Sequence, residues 1–252
     1  LGQLINGIIM GKIEISIALP TRERPNNITR LIKSIEETAK YPKEIQVILR
    51  IDEGDEPTKN NVLKNQKRFS GRFDYLEKPQ NELLSDMWQE CFPLTKGPRL
   101  MMCADDVVFR TPEWDKIIIE AMPDPKNIFR FVWCNDGIQG YNMPTLPFMS
   151  IAWVKHIGYF VPRGYYCDYC DMHLLRIVDL LKKRGHKVGR YLKNVFIEHM
   201  HPQVNKAKWD QNYKRRRKMR GLNGKVWDKE KGEINLIVDR ISKLISSGKI
   251  KI

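Results

Sequence analysis

Apolar residues along the chain fall into short β-rich runs separated by stretches of helical period. Residues 13–19 (IEISIAL) read as a buried strand stopped by Pro20. Ile28, Leu31, Ile32 and Ile35 then recur at the spacing of one helix face, with Asn26 as the expected cap. Residues 44–51 (EIQVILRI) predict a second strand ending in the acidic turn 52–57 (DEGDEP). A strand over 73–76, a helix over 81–92 and a strand over 99–103 continue the order, read as βαβαβαβ with no apolar helix face named between the second and third strands. Right-handed crossovers turn such a series into a mostly parallel sheet whose strand-end loops open on one edge.

The second half is less regular. Trp114, Ile117, Ile118 and Ala121 mark a helix face, 127–133 and 148–153 read as strands, and 154–159 begins as a short helix. After an aromatic loop (GYYCDYCD, 164–171), Asp171 opens an amphipathic helix carrying Leu174, Leu175, Val178 and Leu181, with Gly185 as its stop. A β-rich run over 191–201 (YLKNVFIEHMH) puts His199 and His201 on one side of a strand. Further on, Gly221 and Gly224 predict a break. Residues 234–245 (INLIVDRISKLI) predict a helix whose apolar stripe packs on the body or on a second subunit of a homo-oligomer.

Charge divides the chain. Residues 201–252 hold 15 Lys and Arg against 5 Asp and Glu, so most of the formal charge of +14 lies there. That imbalance suits a nearly neutral catalytic body with an arm for a polyanion. Within the arm, Trp209 and Tyr213 precede Arg215, Arg216 and Arg217, a combination of stacking surface and cations. The expected organisation is an extension over 1–12, a catalytic domain over 13–201 and a basic, mainly helical extension over 202–252. Five cysteines make no disulfide framework, and the pair Cys167 and Cys170 lacks a second pair at zinc-site spacing. No apolar run suits a membrane span or a signal segment, so the expected setting is the cytoplasm, that of the host if the chain is viral.

The chemistry concentrates in RLMMCADDVVF, residues 99–109, where an apolar run ends in Asp105 and Asp106. Open α/β sheets bind ligands at the carboxyl ends of their strands. Two carboxylates there either cap the next segment or face a cation. By the same topology Arg22 and Asp52 reach the same crevice. Asp171, taken alone, reads as an acid at a helix start, with Asp168 one turn earlier.

In order, these segments resemble the GT-A glycosyltransferases, in particular the large family-2-like group, with a viral or phage-type member as one form. ALPTRERP looks like the opening segment of that group, IDEGDEP like its acidic loop, and Ala104-Asp105-Asp106 like its Asp-x-Asp region with the first acid replaced. The resemblance implies an α/β, Rossmann-like, mostly parallel sheet flanked by helices. It implies a nucleotide-sugar donor, UDP-linked by expectation, held by Pro20, Thr21, Arg22, Asp52 and Asp105. It gives Asp106 to a metal ion together with His199 or His201, His199 being favoured; Mn²⁺ suits an oxygen-rich site with one imidazole better than Mg²⁺. Asp171 becomes the base, with Asp168 as its alternative or helper. The basic arm favours a polyanionic acceptor, a modified base in nucleic acid such as viral DNA, with an envelope glycan or a protein hydroxyl as competitors. The competing reading is a non-catalytic nucleic-acid-binding protein that works through its basic tail.

Overall fold

The structure is a computed structural model, and it describes residues 4–5, 8–9 and 11–252. Half of the expected extension over 1–12 lies outside them. A two-stranded hairpin, β1 (Leu4–Ile5) with β2 (Ile8–Ile9), precedes an eight-stranded sheet. Its strands are β3 (Ile15–Pro20), β4 (Ile45–Asp52), β5 (Arg72–Lys78), β6 (Arg99–Met102), β7 (Val107–Phe109), β8 (Phe131–Asn135), β9 (Phe148–Ser150) and β10 (Gly189–His199). In space they run β5-β4-β3-β6-β9-β8-β10-β7.

The strands β5, β4, β3 and β6 are mutually parallel, as the alternating pattern predicts. β9 then enters antiparallel between β6 and β8, β10 runs parallel to β8, and β7 closes the edge antiparallel to β10. The carboxyl ends of β3, β4, β6, β8 and β10 therefore share one edge. Full burial of β3, β4 and β6 explains why these strands read as continuous apolar runs. One core lies between the sheet and α1 (Pro25–Thr38), α2 (Glu56–Gln66) and α4 (Trp114–Ala121). The other lies under α3 (Leu84–Cys91), α5 (Ile151–Ile157), α6 (Cys170–Lys183) and α7 (Gln211–Ser246).

Several local expectations shift. α1 starts at Pro25, and Arg24 rather than Asn26 occupies its cap position without a side-chain cap. The run 148–153 divides into β9 and α5, because the Ser150 hydroxyl accepts from the Trp153 N–H and caps a helix there. Helix α2 has no counterpart in the apolar pattern; Asp55 caps it and Val62 is its one buried large apolar residue.

The largest correction concerns the C-terminal region. No break occurs at Gly221 or Gly224, and α7 is one helix of 36 residues. Its second half is rooted by Ile234, Ile237, Val238 and Ile241 in the core with α5 and α6, so the apolar stripe is spent on the body. Its first half buries only Asn212, Tyr213 and Asn223. A Cβ added at Gly221 or Gly224 would meet nothing within 4 Å, so packing does not require glycine at either position. Each costs the helix about 1 kcal/mol relative to alanine.

Candidate active site

Loops at the carboxyl edge of the sheet build the site. β6 ends where the Trp88 indole N–H donates to the Cys103 carbonyl at 2.7 Å, fixing the chain just before Ala104. Asp105 and Asp106 follow, 4% and 2% exposed. Two buried carboxylates in sequence need opposite charge close by. Arg24, 6% exposed, supplies it: Nη1 donates to Asp105 Oδ1 at 3.0 Å and lies 4.0 Å from Asp106 Oδ2. The Thr21 hydroxyl donates to Asp105 Oδ2 at 2.8 Å. Both oxygens of Asp105 are thus engaged.

Asp106 uses its two oxygens differently. Oδ1 faces His199 Nε2 at 3.3 Å, and Oδ2 accepts from the Tyr213 hydroxyl. Burial opposes ionisation of Asp106, but the contacts from His199 and Tyr213 and the charge of Arg24 outweigh it and hold its pKa below the ordinary carboxylate range. Burial raises Asp105 above that range, with Arg24 pulling the other way. For His199 burial disfavours the imidazolium, yet Asp106 prevails and raises the pKa. Burial and neighbouring Asp106 push the Tyr213 hydroxyl up, so it stays a donor.

His201 lines the same cleft as His199, the two rings 5.3 Å apart. Its Nδ1 accepts from the Gln203 N–H at 3.3 Å, and its ring meets those of Tyr213 and Trp209 edge-on at 5.0 and 6.3 Å. Asp52, at the end of β4, is clamped between the Arg22 and Arg50 guanidinium groups. Arg22 Nη2 also donates to the Asn81 carbonyl at 2.7 Å.

Asp171 lies in the first turn of α6, whose cap position is Tyr169, and its Oδ1 accepts from the Met172 N–H at 2.8 Å. Burial pushes its carboxyl up to about 6 against that N–H, with Asp168 adding to the rise. Asp168 itself is paired with Arg220 at 2.7 Å. A cleft of about 270 Å³ is lined jointly by Asp105, Asp106, Asp168, Asp171, His199 and Arg216.

The first turns of α7 form a wall of this site. Asp210 takes Arg24 in a two-pronged pair at 2.7 and 2.9 Å, and Asn212 Nδ2 donates to the Arg22 carbonyl at 2.6 Å. Tyr213, 4% exposed, is buried under the Arg24 guanidinium, so its ring is closed to an external stacking partner; Trp209 is 44% exposed. Arg215 and Arg216 line a narrow pocket with Pro20, Thr21, Arg22 and Asp105, whereas Arg217 faces a second hollow with Trp209, His201 and Arg220.

Three residues of the site carry no obvious sequence signal. Arg24 sits in a loop where Arg22 draws the eye, and its partners are 81 and 186 residues away. Asp210 looks like an acid in a basic tail. Asp136, 2% exposed, follows β8 and gathers the N–H groups of Ile138, Gln139 and Gly140 on Oδ1 at 2.7–3.0 Å, shaping the loop beside the cleft.

Among the described residues no set of three or more His, Cys, Asp or Glu side chains forms a metal cage. The Asp106–His199 pair nevertheless suits two adjacent ligands. Its 3.3 Å separation is near the edge of about 3 Å between neighbouring ligands on an octahedral ion with bonds of about 2.1 Å. A cation there would draw its other ligands from substrate and water.

Residues 16–185 match the model of glycosyl transferase family 2, more than half of the chain. The chain belongs to that family. Solved structures agree on the fold: TarS of S. aureus in complex with UDP superposes with a TM-score of 0.57 at 13% identity, covering 74% of this chain and 60% of that one. A mannosyltransferase of Pyrobaculum calidifontis in complex with GDP-Man and Mn²⁺ gives 0.58 at 12% identity, over 75% and 57%. Glucosyl-3-phosphoglycerate synthase of Mycobacterium tuberculosis, in complex with phosphoglyceric acid, gives 0.53 at 12% identity, over 75% and 72%. The chain thus spans less than two thirds of the first two. No curated protein matches it significantly in sequence. His199 and the whole of α7 lie beyond the family-matched region. Among the described residues no helix is long and apolar enough to cross a membrane.

Proposed function

We propose that this family-2 chain transfers a sugar from a nucleotide-sugar donor, UDP-linked by preference, to a hydroxyl of an anionic acceptor. The observation that carries the reading is the convergence at one sheet edge of Asp52 with Arg22, the Asp105–Asp106 pair and Asp171. Asp52 and Arg22 suit the base and ribose; Arg22, Thr21 and Asp105 border one pocket, and Asp52 lines the adjoining hollow with Arg22. Asp106 and His199 would hold a divalent cation, Mn²⁺ or Mg²⁺, which when bound would neutralise charge on the departing diphosphate. Arg216, at the junction of the donor pocket and the cleft, adds a fixed positive charge on that side.

Asp171 acts as the base. A carboxyl whose pKa has risen to about 6 is still ionised at neutral pH and is a better proton acceptor than an ordinary aspartate. It takes the proton of the acceptor hydroxyl as the oxygen bonds to the anomeric carbon and the bond to the nucleoside diphosphate breaks. Asp168, tied to Arg220, is the helper that raises Asp171. The acceptor's negative charge matches Arg217, Arg216 and Arg220 around the hollow beside Asp168, with Trp209 at its rim. Single-stranded nucleic acid with a hydroxylated base and an anionic envelope glycan both carry that charge. Against the purely nucleic-acid-binding alternative stands the docking of the basic helix on the aspartates through Arg24 and Tyr213.

A panel of UDP- and GDP-sugars tests the reading: nucleotide release is measured with and without Mn²⁺, and each acceptor class is then added. Release from one donor, stimulated by one acceptor, is the expected result. No donor binding by calorimetry and no release from any donor would refute it.

A further inference from the structure

We propose that Tyr213 is a positioning residue for Asp106: its hydroxyl, brought in by the first turn of α7, holds Oδ2 so that Oδ1 stays turned toward His199 and ready for a divalent cation. The inference rests on the cation reading above and extends it to a residue beyond the family-matched region.

A carboxylate has two equivalent oxygens and turns about one bond. Left alone, Asp106 would swing toward the strongest charge nearby, the Arg24 guanidinium, 4.0 Å from Oδ2. Two contacts prevent this. Arg24 is engaged by Asp105 and, through two hydrogen bonds, by Asp210. The remaining lone pairs of Oδ2 meet the Tyr213 hydroxyl, a neutral donor that fixes direction without cancelling the charge a cation needs.

Tyr213 is itself held at three points. Its N–H is capped by Asp210 Oδ1 at 2.9 Å, its ring lies 4.1 Å under the Arg24 guanidinium carbon, and the His201 ring abuts it edge-on. A phenylalanine would satisfy all three of these contacts. Only the hydroxyl needs tyrosine, and among the described residues its one side-chain partner is Asp106. Asp210, Arg24 and Tyr213 thus couple the seating of α7 to the orientation of a metal ligand.

The experiment titrates Mn²⁺ against the full chain without donor, following free Mn²⁺ by electron paramagnetic resonance, for wild type, Tyr213→Phe, Asp210→Asn and, as a control on an exposed tyrosine that does not line the cleft, Tyr141→Phe. Losing an outer-shell partner weakens metal binding by about 10–100-fold, and that is the expected loss for Tyr213→Phe. Asp210→Asn should show a smaller loss in the same direction and Tyr141→Phe none. Excess Mn²⁺ should restore sugar transfer in Tyr213→Phe and fail to do so in Asp106→Asn. Unchanged Mn²⁺ affinity in a folded Tyr213→Phe overturns the proposal and leaves the transferase reading intact. If Tyr213→Phe does not fold, unchanged affinity in Asp210→Asn overturns it instead. Wild type that binds no Mn²⁺ yet turns over a nucleotide sugar overturns the cation site and this inference together, and wild type inactive with every donor marks failure of the functional reading itself.

Discussion

The Arg24 guanidinium sits over the Tyr213 ring at 4.1 Å, joining the loop after the first strand of the main sheet to the helix that ends the chain. Both residues are buried, and both reach the Asp105–Asp106 pair. Replacing Arg24 with methionine keeps the bulk and removes the charge. Breaking a buried pair by deleting one partner costs about 3–5 kcal/mol. Chemical denaturation of Arg24→Met should show a loss of that size at neutral pH; a loss below 1 kcal/mol would mean that water reaches the aspartates.

Asp171 predicts a pH profile. Its folded pKa of about 6 lies above the ordinary aspartate value, so the base is protonated at pH 5 and active above pH 6. Transfer should rise with pH through about 6, and Asp171→Asn should lose that limb together with about 10²–10⁴-fold in kcat. The sign for stability is opposite. A raised carboxyl pKa gives stability that is present below the unfolded value and lost as pH rises through the folded one. Asp171→Asn should therefore be more stable than wild type at pH 8 and gain little at pH 4, as thermal melts would reveal.

The arginines of the basic run should separate. Arg216 borders the donor pocket, so Arg216→Ala should raise the KM for donor, measurable as donor-only hydrolysis. Arg217 borders only the outer hollow, so Arg217→Ala should leave hydrolysis unchanged and weaken acceptor use by several-fold. Identical losses in both would mean that the run acts as one diffuse field.

Gly221→Ala and Gly224→Ala should each stabilise the chain by about 0.5–1 kcal/mol, because alanine favours the helix and the new methyl meets open space. Urea titration checks this. Destabilisation would show that the helix bends there in solution.

Much of the architecture was legible because buried parallel strands announce themselves. The runs at 13–19, 44–51 and 99–103 have no role except as core, and Asp52, Asp105 and Asp106 follow them directly. The family resemblance carried by those loops agrees with the family match. Helix α2 was hidden because a single valine anchors it and Asp55 does the rest through a cap. The glycine break failed for a different reason: α7 is held at both ends, by Asn212 and Tyr213 at one and by Ile234 to Ile241 at the other, and that outweighs the local propensity for a turn. Arg24 and Asp210 could not be paired from sequence, since charge attracts across space and leaves no periodicity along the chain.

The unequal halves of α7 give the site a dependence on ionic strength. Salt screens the part-exposed pairs Asp210–Arg24 and Arg220–Asp168 that help hold its polar tip, whereas the root is held by apolar burial. Rising salt should therefore fray residues 210–220 first, detectable as faster amide exchange there while residues 234–241 stay protected. Catalytic competence and global folding would then part company along a single helix, with the aspartates uncovered well before the protein unfolds.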